Sequence, residues 1–279
     1  MRSLSLTSPL ARGIAFSAPT LLLVWSLLVA ALWWGQERLL FEPKALGSNQ
    51  AIDAPDVTQD WIDVPGARLH AIHFRQPLVD GVRRTKGLIF YLHGNVGNVA
   101  TWFVQPSFWR DSGYDLYMLD YRGFGKSTGR IQSEAQLHAD VLTAWDHVAP
   151  GYAGLKTVIY GRSLGTGLAV HLAAIVQPDL LVLVSPYASM TAVMNVHYPW
   201  VPDAILRYPL ASDRYINQVQ HATLIFHGLR DTVIPAAQAE VLLNRARHGE
   251  LILLPNVGHG DVHEDAIYQD TLRRRLRDL

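Results

Sequence analysis

Five residues, Gly161-Arg162-Ser163-Leu164-Gly165, fit G-x-S-x-G, a pattern that sets a serine on a sharp turn between a strand and a helix. A hydroxyl presented that way can attack a carbonyl carbon. The pattern alone is weak, because Gly125-Lys126-Ser127-Thr128-Gly129 matches it too. Context separates the two. Thr157-Val158-Ile159-Tyr160 reads as a buried strand feeding straight into Ser163, and Leu164 to Val176 reads as an apolar helix leaving it. Gly161 and Gly165 flank the serine where side chains would clash. Ser127 instead sits several residues beyond its strand in a glycine-rich loop, and the next helix starts only near Ser133. Gly125-Lys126-Ser127 also resembles the end of a phosphate loop, but that motif needs glycine where Asp120 stands.

A serine hydroxyl is a poor nucleophile until a neighbouring imidazole takes its proton. The chain has 12 histidines. His259, in Asn256-Val257-Gly258-His259-Gly260-Asp261, lies just past the last apolar run and is the best placed. His227 ends a strand next to Gly228 and suits a turn. Asp231, on the loop after the preceding strand, can hold the imidazole's tautomer and stabilise the imidazolium; its bland alternative is to cap the segment that follows. The order Ser163, Asp231, His259, each after a parallel strand, favours a triad. Two donors must face the developing oxyanion. The backbone N–H groups of Leu164 and of Asn95, in His93-Gly94-Asn95, meet that need, with Gly94 allowing close approach.

Metal chemistry finds less support. His259 and His263 are four apart, but Gly258 and Gly260 make the first a loop residue, H-E-x-x-H is absent, and no third ligand stands out. His70 and His73 face opposite sides of a strand. No metal or cofactor is expected. Lys plus Arg and Asp plus Glu both total 24, so no net field would gather nucleic acid, and the absence of cysteine excludes thiolate nucleophiles and disulfides.

These side chains need a scaffold. Apolar runs at 88–92, 116–119, 157–160, 180–184, 223–226 and 251–254 read as parallel strands buried on both faces, preceded by a hairpin of 61–64 and 69–74 around Pro65-Gly66. A helix after Ser133, with Gln136 in capping-box position, shows the intervening helical rhythm, and the alternation argues for a doubly wound α/β domain. The rhythm breaks over about 187–220, rich in Tyr, Met and Pro, which is expected to form a lid or cap; simple packing over the sheet edge is the alternative. Residues 13–35 carry no ionisable group and suffice to cross ~30 Å of hydrocarbon. Arg2 and Arg12 before this span and Trp33-Trp34 at its end predict a single-pass anchor with a cytoplasmic N-terminus and a periplasmic domain. A signal peptide cleaved near Val29-Ala30-Ala31 is the competing reading. The division is thus 1–42, anchor and start of a linker, and 43–279, catalytic domain.

Tyr91-Leu92-His93-Gly94-Asn95, Asp120-Tyr121-Arg122-Gly123-Phe124-Gly125-Lys126-Ser127, the Ser163 elbow, the Asp231 loop and Gly258-His259, in that order, resemble the α/β-hydrolase-domain family. The likeness runs from about Gln36 to the C-terminus and is greatest for its membrane-anchored branch of lipid esterases and protein depalmitoylases. It implies an α/β-hydrolase fold with a mostly parallel eight-stranded sheet and a small cap, and hydrolysis of a small acyl ester, thioester or lipid-like substrate without a cofactor. It also implies that the Asp120 loop is structural. An aminopeptidase-like amide hydrolase and a non-catalytic membrane scaffold are the alternatives; an acidic pocket group, from Asp203, Asp213 or Glu264, would mark the former. The basic tail at Arg273, Arg274, Arg275 and Arg277 reads as a solvated helix face, and the oligomeric state is left open.

Overall fold

The computed structural model describes residues 17–47, 50, 52 and 54–279. Arg2, Arg12 and the first residues of the expected membrane span lie outside these. Eight strands form one sheet: β1 (Val57–Val64), β2 (Ala67–Phe74), β3 (Gly87–Leu92), β4 (Asp115–Leu119), β5 (Lys156–Arg162), β6 (Leu180–Val184), β7 (Ala222–Gly228) and β8 (Gly249–Leu254). Their order is β8-β7-β6-β5-β3-β4-β2-β1, and only β2 runs against the others. Each apolar run expected as a strand lies inside one of them, extended by a residue or two where backbone pairing outlasts the apolar stretch.

The two-residue period of a strand divides the core. Leu88, Phe90 and Leu92 of β3 pack on one face, while Ile89 and Tyr91 pack on the other. The first face is covered by α2 (Glu134–Val148) and α3 (Gly165–Val176), the second by Pro106–Ser112 and a C-terminal helix, Ala266–Asp278. Both layers consist of fully buried aliphatic and aromatic side chains, each contributing roughly 1.5–3 kcal/mol. Helix α2 starts where Ser133 Oγ accepts the Gln136 N–H (3.1 Å), while Gln136 Oε1 accepts from Gln132 N (2.9 Å).

The N-terminal apolar stretch is helix α1, Ala18–Leu40, which carries Pro19 in its first turn. It continues to Leu40 rather than stopping at Gly35. Gln36 explains the extension, because it is buried and bonded to the domain, so the chain stays helical until that contact is made. Trp34 is 80 % exposed and Leu22 63 %, leaving most of α1 an apolar surface. The crossover between β6 and β7 contains helix Met190–His197 and several short turns. Tyr187, Tyr208 and Ile216 bury into the core, Met190 and Val193 pack half-buried against it, and Tyr198 is exposed.

Candidate active site

Ser163 follows directly on β5 and precedes α3, with φ 50°, a left-handed conformation that a serine adopts only when its surroundings impose it. Ser163 N donates to Val184 O (2.9 Å), which pins the turn to β6. The turn needs glycines because other backbone is close. A Cβ on Gly165 would lie 2.6 Å from His93 O, and one on Gly161 2.7 Å from Thr166 Cα. A Cβ on Gly94 would meet the Trp102 ring at 2.6 Å.

Ser163 Oγ lies 2.9 Å from His259 Nε2, and His259 Nδ1 lies 2.7 Å from Asp231 Oδ2. The three side chains singled out along the sequence therefore form one hydrogen-bonded chain on loops at the carboxyl ends of β5, β8 and β7. Both ring nitrogens of His259 are taken up by these contacts. Asp231 serves two purposes at once: its Oδ1 accepts from Val233 N (2.9 Å) and Ile234 N (2.8 Å). Burial opposes its ionisation, but the His259 and Ile234 hydrogen bonds and the nearby imidazoles prevail and hold its carboxyl below the usual range. His227 donates its Nε2–H to Ile234 O (2.8 Å), and burial pushes it down, so it stands behind Asp231 as a neutral ring.

Leu164 occupies the first position after the serine, and Tyr187 OH donates to its carbonyl (2.8 Å). Asn95 lies three residues past the end of β3, where its carbonyl accepts from Glu42 N (2.9 Å). Trp102 braces this loop through its Nε1–H to Val96 O (2.7 Å).

Sequence reasoning gave no role to Arg162. Its side chain is 1 % exposed, donates from Nη2 to the His259 carbonyl, and lies 6.0 Å over the Trp102 ring. A guanidinium enclosed like this holds the backbone of the imidazole loop. The available signal was a charged residue directly after the apolar run Val158-Ile159-Tyr160, within the elbow. Ser127 is structural: it donates to Asp120 O (2.7 Å) and accepts from His70 N (2.7 Å). Asp120 in turn accepts from Val99 N (2.8 Å) and holds His70 Nδ1 at 2.9 Å. His70 and His73 join separate clusters, His73 meeting Tyr152 OH at 2.6 Å.

Beside Asn95 a cavity of about 420 Å³ opens between α1 and the crossover. Leu32, Leu39, Met190, Val193 and Ile205 are among its walls, and none of the described residues lining it is a carboxylate. Asp213, one of the acids considered for a substrate amine, is paired with Arg245 (2.8 Å) instead.

An eight-stranded sheet of this order, with serine, aspartate and histidine on loops at its carboxyl end, has α/β-hydrolase architecture. A family model described as serine aminopeptidase, S33, matches residues 83–211. An uncharacterized protein of Mycobacterium tuberculosis is 31% identical over 266 residues, covering 91% of this chain and 92% of its own. The α/β hydrolase domain-containing protein aho-3 of Caenorhabditis elegans is 32% identical over 197 residues, covering 66% of this chain and 56% of its own. Among solved structures, an esterase of Pyrococcus furiosus superposes with a TM-score of 0.65 at 16% identity, over 85% of this chain and 99% of that one. Est1E of Butyrivibrio proteoclasticus gives 0.64 at 14% identity, over 79% and 98%. The chain belongs to the α/β-hydrolase family.

Proposed function

We propose that the protein is a serine hydrolase of carboxylic esters or thioesters with apolar acyl groups. Ser163 Oγ attacks the carbonyl carbon while His259 Nε2 takes its proton, and Asp231 stabilises the imidazolium. The N–H groups of Leu164 and Asn95 receive the oxyanion. His259 then gives the proton to the departing alcohol or thiol, the bond to it breaks, and the acyl group stays on Ser163. Water, deprotonated by His259, attacks the acyl carbon, the bond from that carbon to Ser163 Oγ breaks, and His259 returns the proton to Ser163 Oγ as the acid leaves. The observation that carries this reading is the continuous Ser163–His259–Asp231 contact, at 2.9 and 2.7 Å. A fluorophosphonate probe should label the protein and fail on Ser163→Ala; equal labelling of both sinks the assignment.

The description of the matching family model favours a second reading, an aminopeptidase. Such an enzyme needs a negative group for the substrate's amine, and none of the described residues lining the cavity beside Asn95 is a carboxylate. Comparing acyl esters with aminoacyl amides decides between them, the amides being cleaved faster only if the peptidase reading holds.

Helix α1 is the proposed membrane anchor and residues 43–279 the catalytic domain, with the crossover over about 187–220 as its cap. Support comes from the length and apolarity of Ala18–Leu40 and from Arg2 and Arg12 ahead of it, which favour a cytoplasmic N-terminus. This would put the protein in the membrane-anchored branch. Reporters fused after Leu279 test it: a reporter active only in the cytoplasm overturns the periplasmic placement.

A further inference from the structure

We propose that α1, beyond anchoring the protein, is one wall of the acyl-binding site, and that the chain of a membrane-lipid ester enters between α1 and the crossover from the bilayer side. The inference rests on the ester-hydrolase reading above.

Three observations carry it. The first is continuity. Gly94, where an added Cβ would lie 3.6 Å from Ser163 Cβ, leads directly into Asn95, which shares a cavity with Leu32 and Leu39 of α1 and Met190 and Val193 of the crossover helix. A chain leaving the acyl carbon on that side has apolar walls to follow, in a volume of about 420 Å³, within the range of ordinary ligand sites. The second is that α1 is built into the domain. Gln36, 6 % exposed, donates to Ile205 O (3.1 Å) and accepts from Arg207 N (2.8 Å). Glu37 pairs with Arg207 and accepts from Tyr208 OH (3.1 Å). A mere tether would not need these partly buried bonds.

The third is how far the crossover climbs along the helix. Trp25 Nε1 donates to Trp200 O (3.2 Å). Trp25 stands roughly 16 Å along α1 from Gln36 at ~1.5 Å per residue. In water a loop carbonyl needs no such partner, but in hydrocarbon every backbone polar group must find one within the protein. Val196 at the end of the crossover helix and Tyr198 and Trp200 just beyond it are 50%, 54% and 45% exposed. Helix and loop thus offer an apolar rim around the cavity mouth where lipid chains would lie.

The test uses the full chain in lipid nanodiscs and a fluorophosphonate whose decyl chain ends in a diazirine. After labelling, photolysis should cross-link the probe to peptides containing Leu32 to Leu40 or Met190 to Met194. Cross-links confined to other surfaces overturn the inference while leaving the hydrolase reading intact. Failure of both this probe and a short-chain fluorophosphonate to label Ser163 overturns both. In parallel, kcat/KM should rise with acyl length by up to about fourfold per methylene until the cavity is full. Leu39→Trp, at a 61% exposed position, should cut the decanoyl-to-acetyl ratio tenfold or more, and Leu28→Trp, elsewhere on α1, should not. An unaltered ratio in Leu39→Trp counts against α1 as a wall.

Discussion

Asp231 shows how one carboxylate can be split between structure and chemistry. Its Oδ1 organises the turn through Val233 and Ile234, while Oδ2 faces His259. Asp231→Asn keeps an acceptor for the turn but offers an amide where the Nδ1–H must donate. It should lower kcat on the order of 10³–10⁴-fold with little change in Tm, as measured by ester turnover and thermal melting. Asp231→Ala should lower both. Arg162 acts one step away, on the backbone of the imidazole loop. Arg162→Leu should reduce kcat and the rate of fluorophosphonate labelling in parallel, by about tenfold, because a misplaced base slows both attacks. Gly165→Ala forces a Cβ against the His93 carbonyl. Overpacking of this kind costs about 1–3 kcal/mol. A Tm lower by roughly 2–12 °C should report it.

The same residues mark what the chain discloses by inspection. Ser163, Asp231 and His259 stand out because order, flanking glycines and strand ends constrain them jointly. Arg162 does not, since nothing in the linear pattern says that a guanidinium at the end of β5 turns inward toward a loop 97 residues away. Gln36 is similar: in sequence it looks like the polar flank of an apolar run, and only the fold shows it inside.

At the scale of elements, the strands are legible because burial on both faces demands uninterrupted apolar runs, and the parallel sheet follows from their alternation with helices. The end of α1 is not legible, because its last turn is fixed by long-range partners rather than by a capping residue. Strand β2 carries a pH-sensitive element of its own. Burial, with Arg75 assisting, pushes His73 down to about 4, and its ring donates to Tyr152, which donates onward to Asp115 (2.7 Å). The unfolded chain takes up a proton near 6.5, the folded one only near 4. Below pH 6.5 the unfolded state therefore binds more protons, so stability present at neutral pH falls as pH drops toward 4, by at most about 1.4 kcal/mol per unit from this group. His73→Gln, which keeps a donor for Tyr152, should make the slope between pH 7 and 5 shallower in urea titrations, the remainder coming from His171, His227 and His263, which burial also pushes down. A second element contact, the buried pairing of Arg122 Nη2 with Asp140 Oδ1 (2.8 Å), ties the Asp120 loop to α2. Asp140→Ala leaves the guanidinium uncompensated and should cost about 3–5 kcal/mol, read as a lower urea midpoint.

For the whole molecule, the governing feature is that helix α1 is bonded directly to the crossover. The bonds of Gln36 and Glu37 close on Ile205, Arg207 and Tyr208 before the chain leaves α1. These bonds resist a swivel of the domain on its stem. If α1 stands in a bilayer, the serine keeps a constant height and heading above one leaflet, and its encounters are those of two bodies diffusing in a plane. Turnover would then follow the mole fraction of ester among the surrounding lipids: diluting the substrate with inert phospholipid would slow the enzyme, even with the total ester in the tube held constant.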